Sequence, residues 1–166
     1  AESDAQRYIN TYFKRYPKVK TYLARVVDLA IYRGYVPDIS GRRRNFPELL
    51  RPAKTREAWK AQQAAIREAK NFGIQAAGGV VLRVATIEIL AYLKTIPNAQ
   101  LLTIRHDEIQ CVVPKNVVPK AAPKLKALAE GVDLTPFGVK VPLRVDVQIG
   151  RTWATLKKWN PNDLKE

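Results

Sequence analysis

The chain has 166 residues, and its 29 Lys and Arg against 15 Asp and Glu give a formal net charge of +14. With 46% hydrophobic residues a chain of this length buries a core, so the charge signals an anionic partner, most simply a nucleic-acid backbone, and not disorder. The single Cys111 excludes an intramolecular disulfide and a thiolate metal cluster, and the single His106 excludes a His-rich zinc site.

Ser3 and Gln6 stand at capping-box spacing, and Tyr8, Tyr12, Phe13 and Tyr16 recur near helical period until Pro17. They predict a first helix whose aromatics belong to the core. A second helix is expected from about Lys18, with Val19, Tyr22, Leu23, Val26, Val27, Ala30 and Ile31 as its apolar stripe and Gly34 as its C-terminal cap. Residues 35–39 read as a short strand, Ser40-Gly41 as a turn and Arg42-Arg43-Arg44 as the return. Three arginines beside a tight turn are either a solvated loop or phosphate contacts, and the net charge favours the second.

Helical period resumes over 56–93, where Gly73, Gly78 and Gly79 predict a break or a close approach by something flat. Residues 101–113 read as two apolar strands around Arg105-His106-Asp107-Glu108, a hairpin with adjacent carboxylates near its tip. Residues 118–129 predict a lysine-rich helix interrupted by Pro119 and Pro123. Residues 141–149 alternate strictly and predict a strand with one buried face. The element order gives an α+β fold, a small antiparallel sheet backed by helices. No secretory signal opens the chain, and Arg83 and Glu88 interrupt the longest apolar run, so no membrane helix is expected. A reducing compartment fits the lone cysteine. The absence of methionine implies either an initiator removed before Ala1 or a chain cut from something longer.

Two constellations carry candidate chemistry. Asp107 and Glu108 beside His106 are half of a phosphoryl-transfer site if both acids stay near one hard cation at the bend, and otherwise an ordinary polar turn. Gln63, Arg67, Asn71 and Gln75 recur every four residues and form one polar stripe on an unbroken helix. Their side chains suit acceptors on base edges and sugars, and the stripe lacks the Lys and Glu of a merely solvated face.

Taken in order, these segments resemble the fingers and palm of a family A DNA polymerase, the bacterial polymerase I type. Ala5-Gln6-Arg7-Tyr8-Ile9 with Tyr12-Phe13 and Tyr16-Pro17 is similar to its fingers helices. Gly34-Tyr35-Val36 with Gly41-Arg42-Arg43-Arg44 and Pro47 is similar to the hairpin after them. Arg67, Asn71 and Gln75, then His106-Asp107-Glu108, resemble the palm, and Val141 to Trp153 resembles its closing strand. The resemblance implies fingers over 1–47 and palm over 48–166. It implies that Asp107, with Glu108 as neighbour, is catalytic and that Asp107 holds magnesium (Mg2+). Arg67, Asn71 and Gln75 would lie along the minor groove of primer–template DNA, His106 by the primer terminus, and Arg42 and Arg43 on the nucleic-acid backbone. dNTP is the implied second substrate.

Three departures accompany the likeness. Ala76-Ala77 follow Gln75 where the family usually has Gly-Thr, and residues continue past Trp153 to Glu166 without the family's terminal histidine. The upstream aspartate motif and the nucleotide-binding helix are absent from these residues. A partner chain carrying both is therefore expected, with no membrane. The expected location is the cytoplasm or nucleoid, or the host cell if the gene is phage-borne, and not the secreted space. The competing reading is a non-catalytic basic nucleic-acid-binding protein that keeps the palm fold. A small ribosomal or architectural protein explains the charge but not the ordered motifs.

Overall fold

The computed structural model describes residues 2–160, in the order helix, helix, hairpin, helix, hairpin, helix, hairpin. By internal packing the chain forms two units, Ala1–Ala77 and Gly78–Glu166. That division falls inside a helix and differs in kind from the 47/48 subdomain boundary that the resemblance implies.

In the first unit, α1 (Glu2–Arg15) and α2 (Pro17–Arg33) are separated by Tyr16 alone. Pro17 suits the first turn of α2, where its missing N–H would have no helical partner. Helix α1 starts at Glu2; the capping box expected of Ser3 concerns a side chain outside the described ones. The expected aromatic core does not form: Tyr8 and Tyr12 of α1 and Tyr16 after it are 69%, 50% and 46% exposed, and Phe13 is half-buried. Helix α1 packs on α2, and a single neighbouring helix covers one stripe only.

Helix α2 ends as expected at Gly34, whose φ of 69° is left-handed and whose N–H donates to the Ala30 carbonyl. A side chain there would also collide with Leu50, whose Cδ1 lies 2.6 Å from an ideal Cβ position. Strands β1 (Tyr35–Pro37) and β2 (Arg43–Asn45) pair antiparallel, with Val36 opposite Arg44. The core joins Val26 and Ala30 of α2, Val36, Phe46, Leu49, and Ala65 and Ala69 of the next helix. Alanines at Ala30 and Ala69, both fully buried, let the helix backbones approach closely. A 3-10 turn at Pro47–Leu50 is pinned by Gln62, whose side-chain amide donates to the carbonyls of Glu48 and Arg51.

Helix α3 (Arg56–Leu93) runs 38 residues without the break its glycines predict. Glycine costs only about 1 kcal/mol in a helix interior, less than tertiary packing returns. Gly73 does admit a close neighbour, the Tyr22 hydroxyl, 2.5 Å from where a Cβ would stand. The interruption expected at Arg83 and Glu88 is also too weak: one 18-residue window of α3 has a mean hydropathy of 1.6, enough by length and composition to cross a membrane.

In the second unit, β3 (Gln100–Arg105) and β4 (Glu108–Val112) form the expected hairpin, with Leu102 bulged out of register between Leu101 and Thr103. Its inner face, Leu101, Ile109 and Cys111, packs on Ile89 and Leu93 of α3 and on Leu125, Leu128 and Ala129. The last three lie on α4 (Val118–Glu130), which neither proline interrupts. Pro119 occupies the first turn, and Pro123 removes a single helical hydrogen bond.

The strand expected over 141–149 is mostly unpaired. Leu143, Val145, Val147 and Ile149 are half-buried in alternation, yet only β5 (Gln148–Ile149) joins a ladder, with β6 (Lys157–Lys158). Side chains replace the missing strand partner: the Val145 N–H donates to Glu130 Oε1, and Lys126 Nζ donates to the Val145 carbonyl. The sheet is thus three separate antiparallel ribbons.

Candidate nucleic-acid interface and carboxylate hairpin

Within the first unit, Arg67, Asn71 and Gln75 are exposed on one face of α3, as their spacing predicts. They line a groove of about 470 Å³, together with Arg44, Glu68 and Phe72. Gln63, the first residue of the expected stripe, is half-buried and does not line it.

The three arginines Arg42, Arg43 and Arg44, at and after the turn into β2, have different fates. Arg42 is committed to Asp38, its Nε and Nη2 lying 2.8 and 2.6 Å from Oδ2. Asp38 Oδ1 accepts from the Ser40 N–H, the Ser40 hydroxyl and the Arg42 N–H. Burial raises the pKa of this carboxyl, but the bonds from Ser40 and Arg42 outweigh it and hold the group at about 2, against an ordinary 3.8. This pair braces the turn, so the Arg42 guanidinium already has an anion, although 56% of its side chain stays accessible. Arg43 lies over the Tyr35 ring, 4.5 Å from its centroid, on the opposite face of the ribbon. Arg44, read with its neighbours as a phosphate contact but not among the residues the resemblance places on the backbone, reaches the groove. It bonds Glu68 at 2.8 Å and lies 5.8 and 6.0 Å from the centres of Phe46 and Phe72. Its pairing with buried Val36 puts it on the inner face, and period-two alternation along the arginine run was the available signal.

Within the second unit, His106 and Asp107 are the two loop residues of the β3–β4 hairpin, and Arg105 pairs with Glu108 below them. His106 has a left-handed φ of 52°, tolerated by His at a tight turn. His106, Asp107 and Glu108 are all exposed. Gln110, two residues along the same strand face, donates weakly to Glu108 Oε2 at 3.3 Å. Among the described residues no group of three or more His, Cys, Asp or Glu is arranged to hold a metal ion. A hard cation such as Mg2+ takes one or two protein carboxylates and fills its shell with water and phosphate, so Asp107 and Glu108 fit one side of such a site. Three further acids of this unit are engaged: Glu130 with Lys126 and the Val145 N–H, Asp146 with Lys158, and Asp133 with the N–H and hydroxyl of Thr135. The hydrogen bonds on Glu130, from Lys126 and then Val145, and those on Asp133, from Thr135, lower both pKa values.

The sequence profile of DNA polymerase family A matches residues 1–155. The chain is 32% identical over 155 residues to the thermostable DNA polymerase I of Thermus filiformis, covering 93% of this chain and 17% of that protein. It is 34% identical over 155 residues to DNA polymerase I of Lactococcus lactis subsp. cremoris, with the same coverage of 93% and 17%. It therefore spans about a sixth of the length of these relatives. Among solved structures it is similar to the POL domain of Pol1 from M. smegmatis in complex with DNA primer-template and dNTP, with a TM-score of 0.69 and 28% identity over 79% of this chain and 22% of that one. Matched over nearly its whole length, the chain belongs to DNA polymerase family A.

Proposed function

We propose that this chain is the fingers and palm portion of a DNA-directed DNA polymerase, which adds nucleotides to a primer 3′ end in DNA replication or repair. The observation that carries the reading is the family match over 1–155, which spans in order the arginine hairpin, the polar groove of α3 and the carboxylate hairpin.

The groove residues bind the duplex. The minor groove presents nearly the same acceptors at every base pair, so donors from Arg67, Asn71 and Gln75 monitor pair shape without reading sequence. Arg43 meets the backbone, and Arg42 adds what charge its bond to Asp38 leaves over. His106 stands by the primer terminus. Family A DNA polymerases are metal-dependent as a class. Asp107, with Glu108 beside it, would hold Mg2+, which when bound stabilises charge on the transferring phosphate and the leaving pyrophosphate. The facing carboxylate and the nucleotide-binding helix come from an upstream segment or partner chain, and dNTP binds there. A cytoplasmic or nucleoid location, or a phage host cell, follows from this role.

The second reading, a non-catalytic nucleic-acid-binding protein that keeps the palm fold, needs only the arginine hairpin and the polar groove of α3. Primer extension separates the two. The purified chain alone is expected to be inactive, and adding an upstream family A polymerase segment with the aspartate motif is expected to restore extension. No extension in either form, with primer–template binding intact, would favour the non-catalytic reading.

A further inference from the structure

Residues 156–160 lie beyond the family match. They form β6 and close a hairpin over 148–158, in which Gln148 pairs with Lys158 and Ile149 with Lys157. At its tip stands Trp153, 71% exposed, although tryptophan is on average a well-buried residue.

The tip is braced. The Thr152 N–H donates to Thr155 Oγ1 at 3.0 Å, and the Thr155 N–H returns to the Thr152 carbonyl at 3.0 Å. Gly150 lets the chain cross itself, since a Cβ there would stand 2.7 Å from the Thr155 carbonyl. Below the tip, the Trp159 N–H donates to the Val147 carbonyl at 2.8 Å, and Lys158 pairs with Asp146 at 3.0 Å. The ring is thus presented on an ordered ribbon with little conformational freedom left to lose on binding.

Charge identifies what it meets. Residues 140–158 hold five cations and a single carboxylate, Asp146, already taken by Lys158. Arg151 and Lys157, on either arm of the tip, have no acidic partner among the described residues and are exposed. A flat aromatic face flanked by free cations matches a ligand that carries a π-face and a phosphate in each repeat. A base offers its face only when unstacked, which selects the single strand over the duplex.

We propose that the 148–158 hairpin is a single-stranded nucleic-acid site, in which a base stacks on Trp153 while Arg151 and Lys157 hold the adjoining phosphates. This site shares no residue with the groove of α3 and is independent of whether the chain catalyses extension.

The test is fluorescence anisotropy of a labelled oligo(dT) of about twenty nucleotides, and of a duplex of equal length, against the 166-residue chain. Trp153→Ala is expected to weaken oligo(dT) binding about tenfold, with duplex affinity changed far less, and Trp153→Phe to keep most of the affinity. Lys157→Ala is expected to flatten the salt dependence by about one phosphate contact. Oligo(dT) is also expected to quench wild-type tryptophan emission, with the quenching lost in Trp153→Phe; this readout stands even if Trp153→Ala folds poorly. Unchanged oligo(dT) affinity in a folded Trp153→Ala chain, or no quenching in wild type, would overturn the site and leave Trp153 as a contact for protein.

Discussion

Removing the charge of Asp38 tests how the arginine hairpin is held. In Asp38→Asn the amide oxygen still accepts from the Ser40 and Arg42 N–H groups, but the ion pair to the Arg42 guanidinium is lost. A carboxyl held at about 2 against an ordinary 3.8 contributes about 2 kcal/mol to folding at neutral pH. Asp38→Ala should cost more, about 3 kcal/mol, because it also leaves Arg42 and two N–H groups without their acceptor. The sign in pH follows from the lowered value. The stabilisation is full above about pH 4, where both folded and unfolded forms are ionised, and disappears as pH falls through 2. Urea unfolding of wild type and Asp38→Asn at a series of pH values measures this as a difference, which cancels the titration of the other acids. A gap near 2 kcal/mol at pH 7 that closes by pH 2 is expected. A gap under about 0.5 kcal/mol at neutral pH, or one independent of pH, would refute the reasoning.

Gly34→Ala should cost about 1–2 kcal/mol in the same assay, since alanine would have to hold a left-handed φ there, while the exposed Leu50 side chain can move aside. Arg67→Ala and Gln75→Ala should each weaken primer–template binding by roughly tenfold while leaving the thermal melt unchanged, because both side chains are exposed; early melting would mark them as structural. Duplex affinity should fall steeply with added salt, as counterions released by a chain of charge +14 require, and a flat titration would exclude phosphate-dominated binding.

The local signals that survived in the structure are those with a short-range cause. Gly34 ends α2 because only glycine takes that conformation cheaply, and the β3–β4 hairpin forms around His106-Asp107 because its flanks are apolar and its centre polar. The Arg67–Asn71–Gln75 face was legible because helical geometry fixes it once the helix is unbroken. What failed depended on distant partners. The tyrosines of α1 look like core by periodicity, yet periodicity does not say whether a second layer exists to cover them. Residues 141–147 carry the alternation of a strand, but Lys126 and Glu130 take the place of its neighbour, and nothing local announces that. Likewise Arg42 and Arg44 are indistinguishable in sequence; Asp38 claims the first, and pairing with Val36 aims the second at the groove.

The role of Asp107 is tested most directly by primer extension with the chain combined with an upstream family A polymerase segment, in wild-type and Asp107→Ala forms, alongside primer–template affinity. Asp107 is exposed at a hairpin turn, so its removal should leave folding intact, and loss of a negative charge near phosphates should not weaken DNA binding. The expected result is extension reduced to background in Asp107→Ala, with primer–template affinity at or slightly above wild type. Full extension by the Asp107→Ala complex would contradict the assignment of this hairpin to a polymerase active site.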